Sequence, residues 1–232
     1  MKFKVIATDI DGTITDKHER LYPKAIELIR ELEKMGIKIM LVTGHMLCAA
    51  ETLSHYIGTS GPIVSENGCV IVKKRWDDPI ILGSRNNTEK ALSVLKEYFG
   101  DSVKVKPIIK YRLVDISLKR TFNPDLGNKI LNEKKIPAYL VDSNFAIHII
   151  DKNVNKGVGT VKAGSLIGVT PNEMIGIGDG KNDYYLLKSV GYSIALAHAP
   201  EKLKEIADYV TRKPYGEGFV EAINYLKEQN LI

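Results

Sequence analysis

Two apolar segments far apart in the chain each stop in a cluster of carboxylates: one runs into Asp9-Ile10-Asp11-Gly12-Thr13, the other into Gly178-Asp179-Gly180-Lys181-Asn182-Asp183. In an open α/β sheet, ligands gather beyond the carboxyl ends of the strands. Four acidic side chains delivered there by two strands make an oxygen cage for a hard divalent cation, with Mg2+ the expected occupant. This reading requires a fold that brings the carboxyl groups of Asp9 and Asp179 close enough to share one ion.

The outer thirds of the chain have the rhythm such a fold needs. Phe3 to Asp9 reads as a strand. Pro23 then opens an amphipathic run, Ala25, Ile26, Leu28, Ile29, Leu32, Met35, that stops at Gly36. Ile37 to Val42 is the next strand, ending in Thr43-Gly44, and a helix over about 46–57 leads to Pro62-Ile63-Val64 and the turn signal Asn67-Gly68. Past residue 152 the pattern resumes: helix near 156–167, strand Met174 to Gly178, helix near 182–189, strand Tyr192 to Ala197, and helices from Pro200 and from about Gly218. Alternating strands and helices imply a parallel, Rossmann-like sheet.

Residues 80–152 change register. A helix near 87–99, strands at 102–106 and 112–118, a helix near 124–134, and strands at 137–142 and 145–150 joined by Asp142-Ser143-Asn144 read as a two-helix, four-strand α+β unit. The expected organisation is a discontinuous core, 1–79 and 153–232, with an inserted cap domain over 80–152.

Composition narrows the function classes. With 232 residues and 44% hydrophobic content, the chain can bury a full core. No apolar run approaches the ~20 residues of a membrane helix, and Met1 to Ala7 leads into Asp9 too soon for a signal peptide, so a cytoplasmic location is expected. Cys48 and Cys69 are too few for a disulfide framework and are expected to be buried. The net charge of +5 lies wholly in the middle: 11 basic and 11 acidic residues in 1–79, 13 and 8 in 80–152, 9 and 9 in 153–232. The cations are scattered and aromatic interleaving is sparse, unlike a nucleic-acid footprint. A solvated basic face, or attraction of a small anionic substrate, accounts for them.

Asp9 and Asp11, one residue apart at a strand end, point to different sides if the chain stays extended, but a sharp turn at Gly12 brings both toward one pocket. One can then attack phosphorus while the other moves protons, with the cation neutralising repulsion between two anions. Other residues have simpler readings when taken alone: Thr43 as a helix N-cap, Lys156 as a solvated loop lysine, Asp183 as a favourable charge at a helix start. Gly176-x-Gly178-x-Gly180 has the wrong spacing for a dinucleotide fingerprint, and Gly180-Lys181-Asn182 lacks the hydroxyl residue of a P-loop. His18, His55, His148 and His198 are too dispersed in sequence to predict a metal site.

Taken together, Asp9-Ile10-Asp11-Gly12-Thr13, Leu41-Val42-Thr43-Gly44, Lys156-Gly157 and Gly178-Asp179-Gly180-Lys181-Asn182-Asp183 resemble the four ordered motifs of the haloacid dehalogenase-like phosphatase superfamily. The insert's place and size resemble the subgroup of sugar-phosphate phosphatases and archaeal-type phosphoglycolate phosphatases, most closely the latter. The resemblance implies a Mg2+-dependent phosphomonoesterase acting on 2-phosphoglycolate. Asp9 would be the nucleophile, Asp11 the acid and base, and Thr43, Gly44, Lys156 and Asn182 the substrate-binding set. Asp9, the Asp11 carbonyl, Asp179 and Asp183 would hold the metal. A sugar-phosphate phosphatase or phosphosugar mutase is the alternative, and a non-catalytic metal-stabilised binding module a third class. The implied partner is a small, carboxylate-bearing phosphorylated substrate rather than nucleic acid or membrane, with a homodimer as an open assembly state. One departure stands out: many relatives carry Arg after Thr-Gly, where this chain has His45. Specificity is expected from the insert, where Lys104, Lys106, Lys110, Arg112, Lys119 and Arg120 are available to meet a carboxylate.

Overall fold

Val5, Ile6 and Ala7 are all buried in the first strand, β1 (Val5–Thr8), and alternate between two cores because successive side chains point to opposite faces. In the computed structural model, which describes residues 3–143 and 145–232, Ile6 packs with Ile39, Leu41, Ile175 and Ile177 under two helices. These are α1 (Pro23–Lys34) and the C-terminal helix (Tyr215–Glu228). Val5 and Ala7 pack on the other face with Met40, Val42 and Met174.

The remaining core elements follow in order. β2 (Lys38–Val42), α2 (Leu47–Ile57), β3 (Ile63–Ser65), β4 (Val70–Val72) and β5 (Ile80–Ile81) lead into the middle unit. That unit comprises α3 (Arg85–Phe99), β6 (Ile116–Leu118), α4 (Pro124–Glu133), β7 (Ala138–Asp142) and β8 (Ile147–Asp151). The chain then returns through α5 (Lys156–Leu166), β9 (Met174–Gly178), α6 (Tyr184–Lys188), β10 (Tyr192–Ala195), α7 (Glu201–Lys204), β11 (Tyr209–Val210) and α8 (Tyr215–Glu228).

The large sheet has the order β11-β10-β9-β1-β2-β3-β4-β5, parallel from β11 through β3 and antiparallel beyond. Consecutive strands run from β1 to one side, and the later ones add on the other. The switch point therefore lies at β1 and β9, where an open α/β sheet places its ligand. Thr8 pairs with Ile177 and with Leu41, so Asp9 stands level with Gly178 and Val42. The acidic ends of β1 and β9 and the Thr43-Gly44 end of β2 thus meet along one edge.

Helix α5 comes close to this edge because its glycines leave room. A side chain at Gly159 would strike Val64 and the backbone of Gly68. Asn155 caps the helix by accepting from Val158 N at 3.0 Å, which sets Lys156 as its first residue.

The middle unit differs from the four-strand expectation. Its sheet has three strands, in the order β6-β8-β7, with α3 and α4 packed on one face through Ala91, Leu95, Leu131, Ile116, Leu140 and Ile149. Residues 102–106 form no strand: Val105 makes one bridge to Leu118, after which Pro107, without an N–H, opens a short 3-10 turn (Pro107–Tyr111). The expected strand at 112–118 shrinks to its last three residues because the N–H groups of Leu113, Val114 and Asp115 donate to the Glu66 carboxylate instead of a neighbouring strand. The turn expected at 142–144 includes Asn144, which lies outside the described residues. Two short strands, β5 and β11, were not expected: β5 lies in the brief apolar run Ile80-Ile81-Leu82, and β11 is only Tyr209-Val210. Cys69 is buried but Cys48 is exposed, contrary to expectation; Cys48 lies on α2, which lacks a second sheet over it. No helix among the described residues is long and apolar enough to cross a membrane.

Candidate active site

A cavity of about 410 Å3 lies between the carboxyl edge of the large sheet and the middle unit. On the sheet side, the chain turns sharply after Asp9. Gly12 has φ of +81°, and a side chain there would collide with the Asp179 carboxylate. Glycine at 12 is therefore required both by its backbone conformation and by the close approach of the second acidic loop. Thr13 Oγ1 donates to Asp179 Oδ1 at 2.7 Å, tying the two loops together.

Carboxylate oxygens of Asp9, Asp179 and Asp183 lie within 4.8 Å of one another. The condition set by the sequence, that Asp9 and Asp179 be close enough to share an ion, is met. Lys156, fully buried, donates from Nζ to Asp9 Oδ1 at 2.8 Å and Asp183 Oδ1 at 2.6 Å. Burial works against its charge, but Asp183 and Asp9 outweigh that and push its pKa up. Asp183 Oδ2 accepts from the backbone N–H of Asp179 and Gly180, at 3.0 and 2.8 Å. Burial and the neighbouring Asp183 push Asp9 well above the usual carboxylate range, with Lys156 pulling the other way. Three crowded carboxylates, two buried and one partly so, only partly compensated by one ammonium, are suited to a further cation, and their all-oxygen donor set suits a hard one.

The Asp11 side chain stands apart from this cluster and faces His45, whose Nε2 is 2.9 Å from Asp11 Oδ2. Burial would raise Asp11, but the hydrogen bond and charge of His45 outweigh it and hold the carboxyl below its ordinary range. Thr43 is buried; its Oγ1 accepts from His45 N at 3.1 Å, leaving its own O–H free to turn toward an acceptor. Gly44 lines the cavity, as does Asn182, which donates from Nδ2 to Asn67 Oδ1 at 3.2 Å. All eight residues singled out from the sequence gather around this edge.

Several others were not foreseen. His198 Nε2 lies 3.1 Å from Asp179 Oδ2, and its ring packs against that of Tyr215, 4.2 Å between centroids. His148 also lines the cavity, so three histidines distant in sequence converge on it, and of these His198 touches the carboxylate cluster through Asp179. The strand-end rule carried a signal for His198, since it stands three residues beyond the end of β10 at Ala195. Behind the cavity, Asn67 Nδ2 donates to Asp115 at 3.0 Å, and Asp115 also meets His148 Nδ1 at 2.9 Å and the Arg112 guanidinium. Arg112 Nη2 donates to the Gly44 carbonyl at 2.8 Å. A guanidinium therefore does reach Thr43-Gly44 in this chain, but from the middle unit, while His45 serves Asp11. Of the six cations named from the sequence, Lys106 and Arg112 line the cavity.

A family model described as haloacid dehalogenase-like hydrolase matches residues 6–109 and 115–223. The chain is 37% identical over 232 residues to the phosphoglycolate phosphatase of Methanosarcina mazei, covering all of both chains. It is 37% identical over 220 residues to that of Methanothermobacter thermautotrophicus, covering 95% of this chain and 97% of the other. Protein 0175 of Thermoplasma acidophilum has the same fold, with a TM-score of 0.86 at 22% identity over 97% of this chain and 98% of the other. A subclass IIB sugar phosphatase of the same superfamily superimposes with a TM-score of 0.77 at 19% identity over 99% and 100%. The ordered motifs, their convergence at one sheet edge and the match along nearly the whole chain establish that this protein belongs to the haloacid dehalogenase-like hydrolases.

Proposed function

We propose that the protein is a Mg2+-dependent phosphomonoesterase that hydrolyses 2-phosphoglycolate to glycolate and phosphate in the cytoplasm, with residues 80–152 acting as a cap over the core of 1–79 and 153–232. The observation that carries the reading is the buried Lys156 ammonium between Asp9 and Asp183, with Asp179 beside them at the switch point. Lys156 holds the Asp9 carboxylate in place and sets positive charge where an anionic phosphoryl group must approach. Asp9 attacks phosphorus, forming an aspartyl-phosphate as the ester bond to the alcohol breaks. Asp11 protonates the departing alkoxide, then takes a proton from the water that attacks the aspartyl-phosphate and releases phosphate. Thr43 donates its hydroxyl to a phosphoryl oxygen, and Asn182 holds the loop that carries Asp179 and Asp183. The Asp9, Asp179 and Asp183 carboxylates and the Asp11 carbonyl would hold Mg2+, which when bound supplies charge neutralisation to the incoming phosphate.

The choice of substrate is supported by the full-length relatives named phosphoglycolate phosphatase and by the basic side chains on the cap wall. The test is a comparison of kcat/KM over small phosphomonoesters, with Mg2+ and with a chelator. Phosphoglycolate is expected to lead, and the chelator to stop turnover. Sugar phosphates outrunning it by a wide margin would transfer the assignment to a sugar-phosphate phosphatase. An isomerised sugar phosphate without free phosphate would mark a mutase.

A further inference from the structure

The acidic side chains lining the cavity, Asp9, Asp11, Asp16, Glu19 and Asp179, all come from the core. Among the described residues the cap wall contributes no carboxylate to the lining, and it carries Lys106 and Arg112. Core Lys17 is the one further Lys or Arg in the lining among the described residues. The cavity is thus polarised, with its anionic half suited to a metal and phosphate and its cap half suited to a second anion. Ser117 and His148, paired across β6 and β8, face the cavity while their neighbours Ile116, Leu118, Ile147 and Ile149 face the helices.

Arg112 is the unusual member of this wall. Its side chain is 6% exposed. One Nη donates to Asp115 and the other to the Gly44 carbonyl, whereas the buried Nε–H has no acceptor. A guanidinium has five N–H donors in a fixed fork, and leaving one buried without a partner is costly. Asp115 and Gly44 fix the fork, and the Gly44 contact puts it beside the loop expected to hold the phosphoryl group. A ligand anion arriving from the cavity would satisfy the remaining donors.

We propose that Arg112 is the specificity-determining residue of the site, binding a carboxylate carried one carbon from the ester carbon of the leaving alcohol; this rests on the phosphomonoesterase reading above. The planar fork matches a carboxylate in two parallel hydrogen bonds, a match that neutral sugar hydroxyls do not offer. Lys106, steadied by the Phe145 carbonyl at 3.0 Å, adds charge on the same wall and offsets the repulsion a carboxylate meets from Asp9, Asp11 and Asp179.

The experiment compares 2-phosphoglycolate with 2-hydroxyethyl phosphate, which has the same carbon chain without the carboxylate, in wild type, Arg112→Gln and Arg112→Lys. In wild type the carboxylate-bearing ester is preferred. The ratio of the two kcat/KM values falls roughly thirtyfold in Arg112→Gln, chiefly through KM for phosphoglycolate. In Arg112→Lys, which keeps a cation beside buried Asp115 and so protects the fold, the ratio falls about tenfold because the fork is lost. Equal losses on both esters in Arg112→Lys would overturn the inference and make Arg112 a structural residue, while wild-type preference for phosphoglycolate would still uphold the proposed function. A wild type that hydrolyses both esters equally well would overturn the phosphoglycolate assignment and this inference with it.

Discussion

At the core side of the cavity, Asp9, Asp179 and Asp183 converge from neighbouring strand ends, and one buried lysine joins Asp9 to Asp183; on the facing wall, supplied by the middle unit, Lys106, Arg112, Ser117 and His148 are spread over a short turn and a three-stranded sheet. The core wall concentrates negative charge at a point set by the register of β1 against β9. The facing wall instead hangs on a chain of side-chain contacts: Asn182 to Asn67, Asn67 to Asp115, Asp115 to Arg112 and His148. Geometry fixed by a parallel sheet suits chemistry common to many substrates. Side chains on a smaller unit, joined to the core by polar contacts and by a small apolar cluster of Cys69, Val70, Val114 and Ile150, suit the task of choosing among them.

That division can be broken most directly at Asp9. Asp9→Asn keeps size and burial but removes the proposed nucleophile, and is expected to lower phosphate release by at least about 10^3-fold on every ester tested. A loss confined to phosphoglycolate would mean that the core wall also selects substrate. Lys156→Met leaves two buried carboxylates without their ammonium, and should destabilise the fold by about 3–5 kcal/mol in denaturant titration without metal. A cation binding the cluster in the folded state alone should raise stability by about 2.7 kcal/mol at a hundred times its Kd, read as a rise in melting temperature with Mg2+. This rise should vanish in Asp179→Asn and persist in Arg112→Lys; the reverse pattern would place the ion on the wrong wall.

Smaller effects test the junction between the walls. Asn67→Ala cuts the link from Asn182 to Asp115 and is expected to cost about 1–2 kcal/mol, with a larger change in KM than in kcat. Burial raises Asp115, but Arg112 and His148 outweigh it, so its carboxyl is held below the ordinary value of 3.8. A depressed folded pKa means that this contribution to stability is full above that value and is lost as pH falls through the lower folded one. Melting temperature should therefore drop on acidification below about 3.8, and the drop should be shallower in Asp115→Asn. Glu66 opposes this trend. Burial and the charge of Asp115 raise its carboxyl despite three N–H donors, so its own contribution is full below 4.5 and is lost as pH rises through the raised folded value.

How much of this was legible follows from the range of each signal. The core strands and helices were readable because a buried parallel strand is a continuous apolar run and an amphipathic helix repeats every few residues, as in the run from Ala25 to Leu32. Catalytic candidates were readable because Asp9, Thr43, Lys156 and Asp179 each stand at the end of such an element. Pattern failed at residues 112–115, where Glu66, a residue some fifty positions away, takes the backbone donors that a strand would have used. It failed likewise for His45 and Arg112: no local spacing says that the imidazole faces Asp11 while a guanidinium from the cap reaches Gly44.

What the order of residues settled alone was the alternation of strands and helices, the acidic ends, and the glycine at 12, since these depend on backbone preference and on periods of two and 3.6 residues. The pairing of β1 with β9, the burial of Lys156 between two carboxylates and the unpartnered Nε of Arg112 were decided only by the tertiary structure. These features are contacts between residues far apart in the chain. Their energies depend on distance and on exclusion of water, and both arise only once the sheet has assembled and the middle unit has packed against it.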